Sequence, residues 1–366
     1  MITISIYLAI LLAILIIRLV YNRVCLKNLT ASLSFSGGTA TEGDTMHLTE
    51  ELFNQKWLPL PWINVKFQVD KSFVFKDGDN SSVSDAFYRS DLFHILMHQR
   101  VKRRLPFTCS RRGFYLIKSL EITGWDVLME SKHVAAMDCS AHLLVYPGVL
   151  DTDEVDDVCT RAYGHLVTRQ PIFYDQFSFR GIREYSPTDP VKNINFKASA
   201  KAQDLMVNIR DYTGARQIVL MLDIERYRAW HDEDMEERAI KLVASLAEKM
   251  VGQGIPLAFV TNGINQISGE VKNVAEGLGP VHLKKILEIM ACIDISNQEV
   301  THFAEILDGY TLCGNLEPEF WFVSTNIDRN IEAAYNRLKN TGVRSVWIMP
   351  GLKPREWEFI DDVRFV

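Results

Sequence analysis

The sequence lacks most of the short motifs that mark a particular chemistry. Its cysteines, Cys25, Cys109, Cys139, Cys159, Cys292 and Cys313, include no CxxC pair, which excludes a zinc ribbon built from neighbouring thiols and leaves scattered reduced thiols. His94 and His98 are four residues apart, but there is no HExxH and no second ligand pair to complete a metal site. Neither GxGxxG nor GxxxxGK[ST] occurs, and Gly252-Gln-Gly254 stands after a helical pattern and before an apolar run, the wrong order for a phosphate cradle. A G-x-S-x-G elbow is also missing. Positive charge is not in excess: 40 Lys and Arg against 46 Asp and Glu give a net charge of −6, which argues against a general nucleic-acid binder.

Long apolar runs are equally scarce, with one exception at the amino terminus. Ile2 to Ile17 carries no charged side chain, and Leu19, Val20 and Tyr21 extend the run past Arg18, close to the ~20 residues needed to cross a bilayer. A cleaved signal peptide places its cations before the apolar run, whereas here Arg18, Arg23 and Lys27 follow it. The expectation is an uncleaved single-pass anchor over 1–21 with the large carboxyl-terminal part in the cytoplasm, a compartment that suits free thiols. The remaining ~345 residues suffice for roughly two domains. With 47% hydrophobic and 23% charged residues, they are neither disordered nor of low complexity.

From 22 to 148 the chain shows short runs such as Trp62–Val69, Arg104–Thr108 and Leu143–Val145, several of them alternating apolar with polar side chains. Ser36-Gly-Gly38 and Lys76–Asn80 punctuate them as turns. This is the pattern of an antiparallel β-sandwich. Its basic stretch, Arg100, Lys102, Arg103 and Arg104 followed by Arg111 and Arg112, reads as a solvated strand face, with anionic lipid or a partner as the alternative.

After the acidic run Asp151–Asp157 the texture changes. From 217 to 366, Ile218–Leu222, Pro256–Val260, Phe320–Val323 and Val346–Met349 are apolar on both faces, as strands covered by helices should be. Between the first two, Ile240, Val243, Leu246, Ala247 and Met250 mark a helix over Asp232–Gly252. Leu283–Cys292 and Ile331–Leu338 give further helices, and Gln266–Val274 an edge strand. The fold class is therefore α/β, with a doubly wound, mostly parallel sheet at the carboxyl end. Ligands in such sheets sit beyond the carboxyl ends of the strands, which singles out Asp223, Thr261, Thr325 and Asp328.

The connector over 149–216 carries the most distinctive segment. Phe179, Gly181, Arg183, Glu184, Tyr185, Pro187, Asp189, Ile194, Lys197, Ser199, Ala200, Leu205 and Val207 fit, without a gap, the pattern F-x-G-x-R-E-Y-x-P-G-D-x-x-R-x-I-x-W-K-x-S-A-R followed by L-x-V. Lys192, Phe196 and Lys201 replace Arg, Trp and Arg, while Thr188 replaces the turn glycine and Asn195 the usual histidine. The segment resembles the signature of the bacterial family called domain of unknown function fifty-eight. Arg112–Tyr115, Trp125-Asp126 and Val145–Pro147 are similar to that family's upstream landmarks. Its members often begin with two adjacent transmembrane helices, where this chain has one.

The resemblance implies that the α/β domain is von Willebrand factor A-like (Rossmann-type). It also implies a noncatalytic adaptor for an AAA ATPase of the MoxR type, working in protein maturation or remodelling without a cofactor or small-molecule substrate. The expected partner-binding residues are Arg180, Arg183, Glu184, Tyr185, Asp189, Lys192, Asn195, Phe196, Lys197 and Ser199. Exposed cations there would meet an acidic partner surface; alternatively Arg183, Lys192, Lys197 and Lys201 pair internally with Glu184, Asp189 and Asp204. Tyr185 and Phe196 read as packing residues. A von Willebrand A domain often binds a divalent ion through D-x-S-x-S; here the positions read Asp223-Ile-Glu225-Arg226-Tyr227, a degenerate site from which no metal is expected. Two other readings stand beside the adaptor: a metal-dependent ligand-binding receptor in which Glu225 substitutes as an oxygen ligand, and a hydrolase using Ser199 with Lys197 or Lys201.

Overall fold

The computed structural model of the chain describes residues 2–75, 81–83, 87–126, 129–167, 179–185, 194–202, 204–210, 217–225, 233–296, 300–312, 318–351 and 357–360. The amino-terminal elements are α1 (Ile2–Val24), β1 (Leu29–Phe35), β2 (Thr39–Thr41), β3 (Thr45–Asn54), β4 (Leu60–Val69), β5 (Phe73–Phe75), β6 (Ser81–Val83), β7 (Phe87–Ile95), β8 (Arg100–Cys109), β9 (Gly113–Trp125) and β10 (Lys132–Tyr146). There follow α2 (Thr152–Val167), β11 (Phe179–Glu184), α3 (Phe196–Ala202), β12 (Met206–Arg210), β13 (Ile218–Asp223), α4 (Glu233–Gly252), β14 (Leu257–Thr261), β15 (Val274–Gly277) and α5 (Pro280–Ala291). The chain closes with α6 (Phe303–Leu312), β16 (Glu319–Ser324), α7 (Arg329–Asn340), β17 (Ser345–Pro350) and β18 (Trp357–Phe359). The whole divides into two compact units, Met1–Gly148 with Met290–Cys292, and the remainder.

Helix α1 leaves its apolar side chains from Ile4 to Val20 exposed. Its length and composition over Ile4–Val24 are those of a helix able to cross a membrane, a property that signal sequences share. Tyr21 is the first buried residue of the helix among those described and, like Cys25, belongs to the core of the following sheets.

Those sheets are a four-stranded one, β1-β3-β8-β5, and a six-stranded one, β2-β10-β9-β4-β7-β6. All pairings are antiparallel except that of β2 with β10. Alternation builds the core: Leu48 and Leu52 of β3, Leu105 and Phe107 of β8, and Val65 and Phe67 of β4 turn inward from the two sheets. The basic stretch on β8 is only partly the solvated face expected of it. Arg100 and Lys102 meet Glu51 at the surface, but Arg103 reaches Asp91 at 2.9 Å, and Asp91 is fully buried together with Arg89 and Glu50. Arg112 is buried as well.

In the second unit a six-stranded sheet runs β15-β14-β13-β16-β17-β18. Its four inner strands are mutually parallel and both edge strands antiparallel. Every residue of β13 and of β16 is buried, so both faces are covered. Val219, Met221, Phe320 and Phe322 pack with Phe303 and Leu307 of α6 and with Ile331, Ala334 and Tyr335 of α7; on the alternate positions Trp321 meets Tyr163 of α2, edge to face. Helix α4 is buried over a wider band than its apolar stripe alone, with Leu242, Ala244 and Ser245 also inside. It ends in a turn in which Ile255 N–H reaches Met250 O at 2.9 Å and Gly254 takes φ +75°, a helix stop that favours glycine.

The expected helices over Leu283–Cys292 and Ile331–Leu338 begin earlier, as α5 and α7, and the expected edge strand over Gln266–Val274 lies later in the chain as β15. Val271 makes an isolated bridge to Ile264 instead, because the intervening Ile267-Ser268-Gly269 turns back through hydrogen bonds to Asn265.

Candidate functional site

The first strand of the doubly wound sheet, β13, is central, with β14 on one side and β16 on the other. Chain direction therefore diverges at its carboxyl end, the position where such sheets open a crevice. Asp223 closes β13 at this point. Because Leu222 is level with Thr261 and Asp223 with Ser324, the three side chains Asp223, Asn262 and Ser324 form one row across three strands. All three are buried.

The row is a closed hydrogen-bond network. Asp223 Oδ1 accepts from the Glu225 N–H and from Asn262 Nδ2, each at 2.8 Å, and Asp223 Oδ2 accepts from Ser324 Oγ at 2.7 Å. Asn262 Oδ1 in turn accepts from the Ile224 N–H at 3.0 Å, and Ser324 Oγ accepts from the Asn326 N–H at 2.9 Å. Burial pushes the Asp223 carboxyl up to about 7, with the Glu225 charge adding to the rise, although three donors pull the other way. Glu225 is committed elsewhere. Its Oε2 accepts from the Phe303 N–H at 3.0 Å and its Oε1 meets His302 Nδ1 at 2.5 Å, so this carboxylate caps the amino end of α6, where the helix dipole favours it. The same contact raises the His302 pKa.

Of the strand-end residues singled out from sequence, Asp223 and Thr261 are buried, and Thr261 Oγ1 accepts from the Gly263 N–H at 3.0 Å. Thr325 and Asp328 are half-buried, Asp328 standing at the amino end of α7. Asn262 and Ser324 each lie one position away from a residue singled out; matching the ends of the apolar runs puts Ser324 beside Asp223 but Thr261 in place of Asn262, because β14 is shifted by one residue against its run, Leu222 pairing with Thr261. His302 comes from a loop, and no sequence signal links it to Glu225. Arg226 and Tyr227 lie outside the described residues. Among the described residues no cluster of three or more His, Cys, Asp or Glu is arranged to hold a metal ion.

The signature segment folds as a hairpin with a short helix. Strands β11 and β12 pair antiparallel, Arg183 level with Val207, and Ile194 bridges Val207 as well. Asn195 starts α3: its Oδ1 accepts from the Ala198 N–H at 3.0 Å, while its own N–H donates to Met206 O at 2.8 Å. Ser199 Oγ donates to Asn195 O and accepts from the Met206 N–H, both at 2.8 Å. That hydroxyl therefore fastens α3 to β12, and no described residue within its contacts is a base that would activate it as a nucleophile. Tyr185 is half-buried, its N–H bonded to Leu205 O.

Phe196 departs from the packing role expected of it, since it is 74% exposed. It is the first residue of α3. Lys197, Lys201 and Asp204 are exposed too, and form no ion pair among the described residues. Arg180, Arg183 and Glu184 lie on β11 with their side chains outside the described set; Asp189 and Lys192 lie outside the described residues altogether.

No family model matches the chain, and no curated protein does. Solved structures with partial similarity include a CARDB domain from Pyrococcus furiosus in complex with di-metal ions, 13% identical, covering 33% of this chain and 96% of that one with a TM-score of 0.20. A non-cellulosomal cohesin from Archaeoglobus fulgidus is 10% identical and covers 35% of this chain and 97% of its own, with a TM-score of 0.23. A type I cohesin from Clostridium thermocellum, solved with its dockerin, is 12% identical over 32% of this chain and 99% of that one, again at 0.23. At such scores the likeness adds nothing to the fold, which rests on the strand order and register above.

Proposed function

We propose that the protein is a noncatalytic, membrane-anchored adaptor, that α1 is its single-pass anchor, and that the large part of the chain lies in the cytoplasm. Its partner is an AAA ATPase of the MoxR type, and its α/β domain is von Willebrand factor A-like. The resemblance of the signature to domain of unknown function fifty-eight supplies the identity of the partner, and the central position of β13 with an acidic residue at its end supports the domain reading.

One observation carries the adaptor reading: the signature divides its residues between holding and presenting. Asn195 and Ser199 are consumed inside the hairpin, while Phe196, Lys197 and Lys201 face outward. An exposed aromatic ring flanked by cations is the composition of an interface anchor. The enzyme and metal readings have weaker support, because the hydroxyl of Ser199 and the oxygens of Asp223 and Glu225 already have partners. Phe196→Asp combined with Lys197→Glu tests the claim. The double variant should melt within about 2 °C of the parent, since exposed substitutions change stability by roughly 0.5 kcal/mol or less, yet lose co-purification with the ATPase. Retained binding by the folded variant would overturn the assignment of this surface.

A further inference from the structure

The end of the β-sandwich from which α1 departs has its polarity inverted. Strand register places three loops there: Leu60 opens β4 opposite Ile95 at the end of β7, and Trp62 is level with Trp125 at the end of β9. The loops after β3, β7 and β9 therefore emerge together. In the first, Lys56 is 7% exposed and its Nζ donates to Lys27 O at 2.7 Å, while the adjacent Trp57 is 79% exposed. In the second, Leu96 is 63% and Met97 49% exposed, and in the third Met129 is 51% exposed. A buried ammonium beside an exposed indole is the reverse of what water selects.

Hydrogen bonds hold the first two of these loops together. The buried Asn54 Nδ2 donates to both Leu58 O and Leu96 O at 2.9 Å, tying the first loop to the second, and the ring of Trp57 rests edge-on against His98, centroids 5.2 Å apart. Tyr21 Oη donates to Pro59 O at 2.8 Å. Arg18 on α1 bridges Glu130, next to Met129, at 3.0 Å. Arg18 is where the uncharged part of the helix stops, and Ile2 to Ile17 before it spans roughly 24 Å at about 1.5 Å per residue, most of a hydrocarbon core of about 30 Å. The contact with Glu130 thus places the loop end at the boundary of whatever apolar medium receives α1.

We propose that this end of the sandwich is a lipid-seating surface, on which Trp57, Leu96, Met97 and Met129 enter the interfacial layer of a phospholipid bilayer around the base of α1. The inference rests on α1 being a membrane anchor and adds to it that the domain is seated on the bilayer rather than tethered above it. Tryptophan is enriched at that depth because its ring is apolar and its N–H polar.

Fluorescence of the full chain in phosphatidylcholine vesicles, with lipids brominated near the carbonyl end of the acyl chain as quenchers, tests it. Subtracting the emission of Trp57→Phe from that of the parent isolates Trp57, and flotation of the same vesicles reports anchoring separately. The expected result is a chain that floats and whose Trp57 emission is largely lost to the brominated lipid. Flotation with Trp57 unquenched overturns the seating surface alone and points to a protein on this face; a chain that does not float overturns both the anchor and the seating.

Discussion

Two buried carboxyl groups, one in each unit, titrate far above the usual carboxylate range, and both make stability depend on pH in the same sense. Glu50 is pushed up to about 8, first by burial and then by the neighbouring Asp91, against the pull of Arg103 and Arg89. An acid whose pKa is raised on folding binds its proton more tightly in the native state. The stability it confers is complete below its unfolded value of 4.5 and is lost as pH rises through about 8. Within that window each pH unit costs about 1.4 kcal/mol for one proton. Denaturant titrations from pH 5 to 8 should show the sandwich weakening, and Glu50→Gln, which cannot ionise, should flatten the slope. An unchanged slope in that variant would place the titrating group elsewhere. Asp223 acts in the same way in the α/β unit, over a window from 3.8 to about 7. Removing it in Asp223→Ala leaves the Glu225 N–H and one of the two N–H groups of the Asn262 amide, the amide's remaining bond being to Thr301 O at 3.2 Å, without an acceptor in a buried site, a loss on the order of 3 kcal/mol in unfolding free energy. A loss below about 0.5 kcal/mol would mean that the row does not hold the strand ends together.

Among the elements, those whose burial requirement is written into a run of residues are legible from sequence. β13, β14, β16 and β17 are continuous apolar runs because helices cover both faces, and α4 shows its stripe because one face must be buried. The edge strands are different. β15 and β18 have three or four residues each and are defined by the neighbour they pair with, which local pattern does not reveal. Helix α2 is hidden in an acidic run for a related reason. Its Glu154 is buried between Arg238 of α4 and the indole of Trp357, accepting from both at 2.8 Å, so a residue that reads as surface charge is a tertiary contact. The candidate site follows the same rule: Asp223 and Glu225 are visible as departures from a metal motif, whereas His302 is supplied by a distant loop. The signature hairpin carries its own prediction. Ser199→Ala deprives the Met206 N–H of its acceptor and should cost about 1 kcal/mol, read as faster amide exchange at Met206 under native conditions. Unaltered protection there would show that α3 is held to β12 by something other than this hydroxyl.

At the scale of the whole molecule, an apolar helix, a β-sandwich and a doubly wound α/β unit are joined in one chain. Two surfaces are proposed on it, the loops around the base of α1 for lipid and α3 with Phe196 and its lysines for protein. The central claim is that the second of these surfaces recruits an ATPase to the membrane. It is tested most directly by affinity purification of the full chain from the membranes of the cell that makes it, solubilised in mild detergent, followed by mass spectrometry of the bound proteins. The account predicts that a MoxR-type AAA ATPase is enriched with the parent chain and absent when Phe196→Asp and Lys197→Glu are introduced together. Recovery of the chain without any AAA ATPase would contradict it.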